Sequence, residues 1–131
     1  MKIYVAHSSS FDYQNELYKP IRKSQLNEYY EIILPHEKSI EQFDSKEYIR
    51  SCDLLVAEVS CPSTGMGIEI GWANMYKVSI ICIHRSETIP SKSLKVVSNI
   101  FIQYENGDEM VQRLSDYLAN VAAKEQGRDN F

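Results

Sequence analysis

The chain has 131 residues, 44% of them hydrophobic, and 14 Lys and Arg against 18 Asp and Glu give a net charge of −4. That length fits one domain with its own core, and the acidic balance argues against a binder of nucleic-acid polymers, which needs a basic stripe. A small anionic ligand stays open, because local backbone amides and a cation or two can hold one.

Cys52, Cys61 and Cys82 show no CxxC spacing and read as reduced thiols of a cytoplasmic protein. No signal sequence is expected, since Met1-Lys2 leads straight into a strand. No apolar run reaches the roughly 20 residues of a membrane span.

In chain order, Ile3–Ala6 reads as a first strand, followed by the polar turn His7-Ser8-Ser9-Ser10. A helix is expected from about Asp12 to Asn27, with a kink or late start at Pro20. Glu31–Leu34 reads as a second strand, ended by Pro35. Ser39 and Gln42 resemble a capping box that opens a helix carrying Ile40, Phe43 and Ile49 inward.

Asp53–Val59 is the third strand, an apolar run suited to burial on both faces. A glycine-bearing loop follows, and a helix is expected from near Gly67. Val78–Ile83 gives a β-branched fourth strand, then a polar loop runs to about Ser93. Ile100–Tyr104 is a fifth strand, and a closing helix spans Asp108 to about Ala123. Residues 124–131 read as a frayed polar tail after a single domain of residues 1–123.

Strands alternating with helices predict right-handed βαβ units. The expected fold is a flavodoxin-like α/β three-layer sandwich with a five-stranded parallel sheet in the order 2-1-3-4-5. Ligands of such sheets bind beyond the carboxyl ends of the strands. His7 and Ser8 follow the first strand, His36 the second, the Ser60–Gly67 loop the third, and His84-Arg85 the fourth. All three histidines therefore fall on one rim.

No HExxH-like pair fixes two ligands on one helix face, so no metal is expected. The histidines read as hydrogen-bonding loop residues or substrate contacts. Gly65 and Gly67 let a backbone approach a ligand closely. Glu69, placed in the first turn of the following helix, is favoured in its ionised form by the helix dipole. Acidic residues also occupy first turns for that reason alone. Glu58 on a central strand needs a partner, and its expected role is support of the site. Tyr4 reads either as half-buried core or as a hydroxyl aimed at the rim. Cys61 has no adjacent base and reads as structural.

From Asp53 onward the chain reads Asp-x-x-Val-Ala-Glu-Val-x-x-Pro-Ser-x-Gly-x-Gly-x-Glu-x-Gly. With that motif it resembles the nucleoside 2-deoxyribosyltransferase superfamily, and within it the 2'-deoxynucleoside 5'-phosphate N-hydrolases. The likeness is strongest over Asp53–Ala73 and colinear from Ile3 to about Tyr117. It implies a homodimer with shared active sites. Glu69 matches the nucleophilic glutamate, and Tyr4 a tyrosine that orients it. Ser63, Gly65 and Gly67 match the 5'-phosphate loop. Ser93, with Ser91 as the other candidate, matches a serine donated across the dimer.

Two departures stand out. The hydrolases carry an aspartate eight residues before the position of Asp53, where this chain has Ser45. They also carry an arginine in the first loop, which His7-Ser8-Ser9-Ser10-Phe11 lacks.

The chemistry expected is cleavage of the N-glycosidic bond of a nucleoside or nucleoside 5'-monophosphate, with hydrolysis or transfer to another base as the second step. Protonation of the leaving base falls to Asp44, Glu47 or His36, with Asp44 preferred. The expected catalytic set is Glu69, Tyr4 and Asp44. The expected substrate contacts are His7, Ser8, His36, Ser63, Gly65, Gly67 and Ser93. No cofactor is called for. The alternatives are a TIR-like NAD glycohydrolase and a non-catalytic nucleotide sensor.

Overall fold

A computed structural model describes residues 1–38 and 44–129. Five parallel strands, β1 (Lys2–His7), β2 (Glu31–Ile33), β3 (Leu54–Glu58), β4 (Ser79–Arg85) and β5 (Phe101–Tyr104), form one sheet in the order β2-β1-β3-β4-β5. This is the architecture expected from the sequence. All five residues of β3 are buried, as its apolar run requires of a central strand covered on both faces.

Alternation along the strands divides the core in two. Ile3, Val5, Leu54, Val56, Ile81 and Ile83 face one side. There they pack under α1 (Lys19–Arg22), α2 (Gln25–Tyr29) and α5 (Gly107–Asp129). Tyr4, Ala6, Leu55, Ala57, Ile80 and Cys82 face the other side, under α3 (Lys46–Ser51) and α4 (Thr64–Met75).

Several element bounds depart from the sequence expectation for physical reasons. The region expected as one helix from Asp12 to Asn27 is three pieces: a π-helical turn at Gln14–Tyr18, then α1, then α2. Pro20 does not break it. It sits in the first turn of α1, where a missing N–H is tolerated. The break comes at Ser24, in extended backbone, whose side chain caps α2 by accepting from Leu26 N at 3.2 Å.

Gly107 opens α5 hard against that segment. A Cβ there would lie 2.6 Å from Pro20 Cγ, so the close approach requires glycine. The closing helix, expected to stop near Ala123, continues to Asp129. A 3₁₀ turn at Lys92–Val96 was not foreseen in the polar loop after β4. The capping box at Ser39 and Gln42, with Ile40 and Phe43, lies outside the described residues. Ile49 of α3 is buried, as expected.

Candidate active site

Tyr4 lies in the middle of β1 with its ring fully buried. On that face its hydroxyl reaches Glu69 of α4 and donates a short hydrogen bond to Oε2. The helix that presents Glu69 starts earlier than its glycines suggested. Ser63 is the cap, its Oγ accepting from Met66 N at 3.4 Å, and Thr64 is the first helical residue. Glu69 therefore stands in the second turn, with no acidic residue in the first. The expected dipole stabilisation of its ionised form is corrected accordingly, since that effect fades beyond the first turn.

Burial sets the carboxyl's properties instead, pushing the Glu69 pKa above its ordinary value. Hydrogen bonds from Tyr4 and Ser45 and the charge of His36 oppose that shift without cancelling it. Burial, followed by the neighbouring Glu69 charge, raises the Tyr4 pKa strongly. Tyr4 consequently keeps its proton and acts as a donor to the carboxylate.

These groups line a cleft of about 190 Å³ at the carboxyl ends of β1 and β2, walled by His36, Ser45, Gly65, Ile68 and Trp72 around Tyr4 and Glu69. Among the described residues that line it, none is a lysine or arginine. A larger cavity of about 450 Å³ lies at the opposite edge, against Leu54 and Ser79 at the strand beginnings. Chemistry rather than volume selects the smaller one: it holds the half-buried carboxylate with its phenol donor, where parallel sheets bind ligands.

The residues singled out in the sequence fare differently. Tyr4, Glu69, His36 and Gly65 meet in the cleft. Asp44 does not join them. Its side chain is exposed and accepts from Lys46 N at 3.3 Å. The neighbour Ser45 is the buried one, and its side chain acts on both Tyr4 and Glu69, lowering the pKa of each against the effect of burial. The position that the resemblance gives to an aspartate thus carries a buried neutral hydroxyl.

His7 and Ser8 are buried outside the cleft lining. His7 Nε2 lies 2.6 Å from Tyr18 Oη and Nδ1 lies 2.8 Å from Ser8 O. Burial lowers the His7 pKa. Ser8 Oγ bonds Ser10 Oγ at 2.7 Å.

Ser63 acts as the helix cap. Gly67 is exposed and Ser93 lies on the exposed 3₁₀ turn, and neither lines the cleft. Among the described glycines none has positive φ, and a Cβ at Gly65, Gly67 or Gly71 would meet nothing within 4 Å. These glycines therefore answer to no backbone strain or internal packing, and they leave the start and outer face of α4 bare.

His84 is still within β4, with Nδ1 at 2.9 Å from Arg85 O, and does not reach the cleft. Among the described residues no His, Cys, Asp and Glu grouping could hold a metal ion. Glu58, fully buried, has the partners its position demanded. Oε1 accepts from Ser60 N at 2.6 Å, and Oε2 accepts a short bond from Tyr104. Ser60 Oγ in turn accepts from Arg85 N at 2.9 Å, so Glu58 fastens the ends of β3, β4 and β5 together.

Sequence reasoning passed over Ile68 and Trp72. The spacing of Trp72, three residues after Glu69 on a helix, was an available signal, whereas Ile68, adjacent to Glu69 in sequence, offered none. It treated Ser45 only as a missing aspartate.

No family model matches the chain. A stretch of 77 residues is 36% identical to a 2'-deoxynucleoside 5'-phosphate N-hydrolase of Syntrophotalea carbinolica, covering 56% of this chain and 54% of that protein. Another of 67 residues is 36% identical to the 5-hydroxymethyl-dUMP N-hydrolase of Tetraodon nigroviridis, covering 51% of this chain and 44% of that one. Among solved structures, the CMP N-glycosidase BcmB of Clostridium botulinum superposes with a TM-score of 0.61 at 25% identity, over 88% of this chain and 99% of that one. The chain spans about half the length of these curated relatives. The three proteins carry names of nucleotide N-hydrolases or N-glycosidases, in agreement with the resemblance drawn from the motif around Glu69.

Proposed function

We propose, for a chain whose kinship lies with nucleotide N-hydrolases, that it cleaves the N-glycosidic bond of a nucleoside or nucleoside 5'-monophosphate with Glu69 as nucleophile. The observation that carries this reading is the Glu69 carboxyl, half-buried in a cleft and held by the Tyr4 hydroxyl. A carboxylate so oriented attacks C1' as the bond to the base nitrogen breaks. The bond's electron pair leaves with the base, through an oxocarbenium-like transition state. Water then attacks C1' of the glycosyl ester, loses a proton, and returns Glu69 as carboxylate with free sugar. A second base in place of water gives transfer.

Tyr4 and Ser45 hold the carboxylate in line and stabilise its charge. With Asp44 turned outward, His36 is the cleft residue suited to meet the leaving base with a proton or hydrogen bond. The sugar's 5' side lies over the amino end of α4, where Gly65 and Gly67 offer backbone without side-chain bulk beside the Ser63 cap.

The same reading includes a pair of chains. The outer face of α4 carries exposed Ile68 and Met75 beside bare Gly67 and Gly71, and exposed Ser93 would reach the cleft of a second copy. The free thiols Cys52, Cys61 and Cys82 suit a cytoplasmic setting.

A nucleotide-sensor reading draws support from one feature, Ser45 in the aspartate's place. Incubation with nucleosides, their 5'-monophosphates and NAD, with and without an acceptor base, followed by chromatography, separates the readings. Free base from wild type and none from Glu69→Gln supports the glycosidase. Tight nucleotide binding without base release at any pH supports the sensor.

A further inference from the structure

We infer that Tyr18 is a positioning residue of the cleft: its hydroxyl ties the loop bearing His36 to β1 and so sets where the His36 imidazole meets substrate. What the cleft does with that imidazole rests on the reading above. The role of Tyr18 rests on geometry. Tyr18 is buried at the end of the π-helical turn, a rare element found often at functional sites. Its oxygen accepts from the backbone N–H of His36 at 3.0 Å and lies 2.6 Å from His7 Nε2.

A phenol has one proton to give. Ser8 O can only accept, so Nδ1 bears the proton of the neutral His7 ring, and Nε2 accepts the proton of the Tyr18 hydroxyl. His7 thus donates from Nδ1 to Ser8 O at 2.8 Å. Every polar atom in the chain has one assignment, running from the end of β1 to the loop after β2.

Two further ties hold the same loop. Gln14, on the turn that ends in Tyr18, donates from Nε2 to His36 O at 3.3 Å. Arg22 forks onto Glu37 at 2.7 and 2.8 Å. The loop so fastened carries a buried nitrogen, His36 Nδ1, with no hydrogen-bond partner among the described residues. A free loop would relax to satisfy that atom, since an unpaired buried polar group is unfavourable. Held in place, the imidazole stays in the cleft it shares with Glu69.

The test joins kinetics to nitrogen-15 NMR of the imidazoles in the ligand-free protein. Tyr18→Phe is expected to lower kcat/KM about tenfold, the scale of one lost hydrogen bond, chiefly through KM. Gln14→Ala, an exposed change that leaves the core intact, is expected to lower it by less. On a His36→Ala background neither substitution should cost anything further. In the NMR spectra Tyr18→Phe should move the ring signals of His36 as well as those of His7.

A Tyr18→Phe loss that persists undiminished on the His36→Ala background overturns the inference. Unmoved His36 ring signals in Tyr18→Phe overturn it too. Should the wild type release no base from any substrate, the glycosidase reading falls, and the NMR comparison still decides the role of Tyr18.

Discussion

Tyr4→Phe isolates the contact on which the proposed chemistry leans. The ring is fully buried between β1 and α4, so phenylalanine fills the same space and the fold is retained. What disappears is one hydroxyl that donates to Glu69. Hydrogen bonds to charged groups contribute about 1.5–3 kcal/mol, and each 1.4 kcal/mol is about tenfold in rate. A carboxylate deprived of that donor should react roughly 10- to 100-fold more slowly.

The pH profile adds a second reading of the same bond. The Tyr4 bond holds the Glu69 pKa down against the upward push of burial. Its loss lets the pKa rise further, so the acid limb of kcat/KM should move to higher pH. The assay is chromatographic release of free base between pH 4 and 9, roughly the range around a raised carboxyl pKa. A rate within about twofold of wild type with an unmoved acid limb refutes the assignment of Tyr4, because a lost charge-assisted bond cannot be silent in both.

Glu69→Gln should raise the thermal midpoint at neutral pH. The folded-state pKa of Glu69 lies above its unfolded value, so its carboxyl favours folding at low pH and that contribution fades as pH rises through the folded pKa. The gap between the two midpoints should therefore close on acidification, and a midpoint lowered at pH 7 would contradict this. Gly65→Ala and Gly67→Ala should each stabilise the fold by up to about 1 kcal/mol in denaturant melts, by helix propensity, since the added methyl meets nothing. Gly65→Ala should at the same time raise KM, and an unchanged KM would remove the amino end of α4 from the substrate path. Gly107→Ala should destabilise by about 1–3 kcal/mol, because its Cβ would press on Pro20 Cγ at 2.6 Å; denaturant melts measure it.

Periodicity and turn chemistry carried the fold. The alternation Ile3-Tyr4-Val5-Ala6 and the apolar run Leu54–Ala57 already describe strands buried on two faces. The strand-helix rhythm then leaves one sensible sheet order. Less legible was anything decided by exact phase. Whether α4 begins at Thr64 or at Gly67 determines if Glu69 feels the helix dipole, and local composition supports either start. The choice between Asp44 and Ser45 is likewise a matter of side-chain direction just before α3, invisible in a string of letters. The π-helical turn that delivers Tyr18 to His7 has no sequence signature of its own. Pro20 instead drew attention to a kink, while the break lies at Ser24.

Mass analysis of acid-quenched protein tests the nucleophile directly. Wild type caught during turnover of a slow nucleoside or 5'-monophosphate substrate should carry the sugar's added mass on the peptide that contains Glu69. Glu69→Gln should carry none and release no base. An adduct on another residue, or base release by Glu69→Gln at the wild-type rate, would contradict the account.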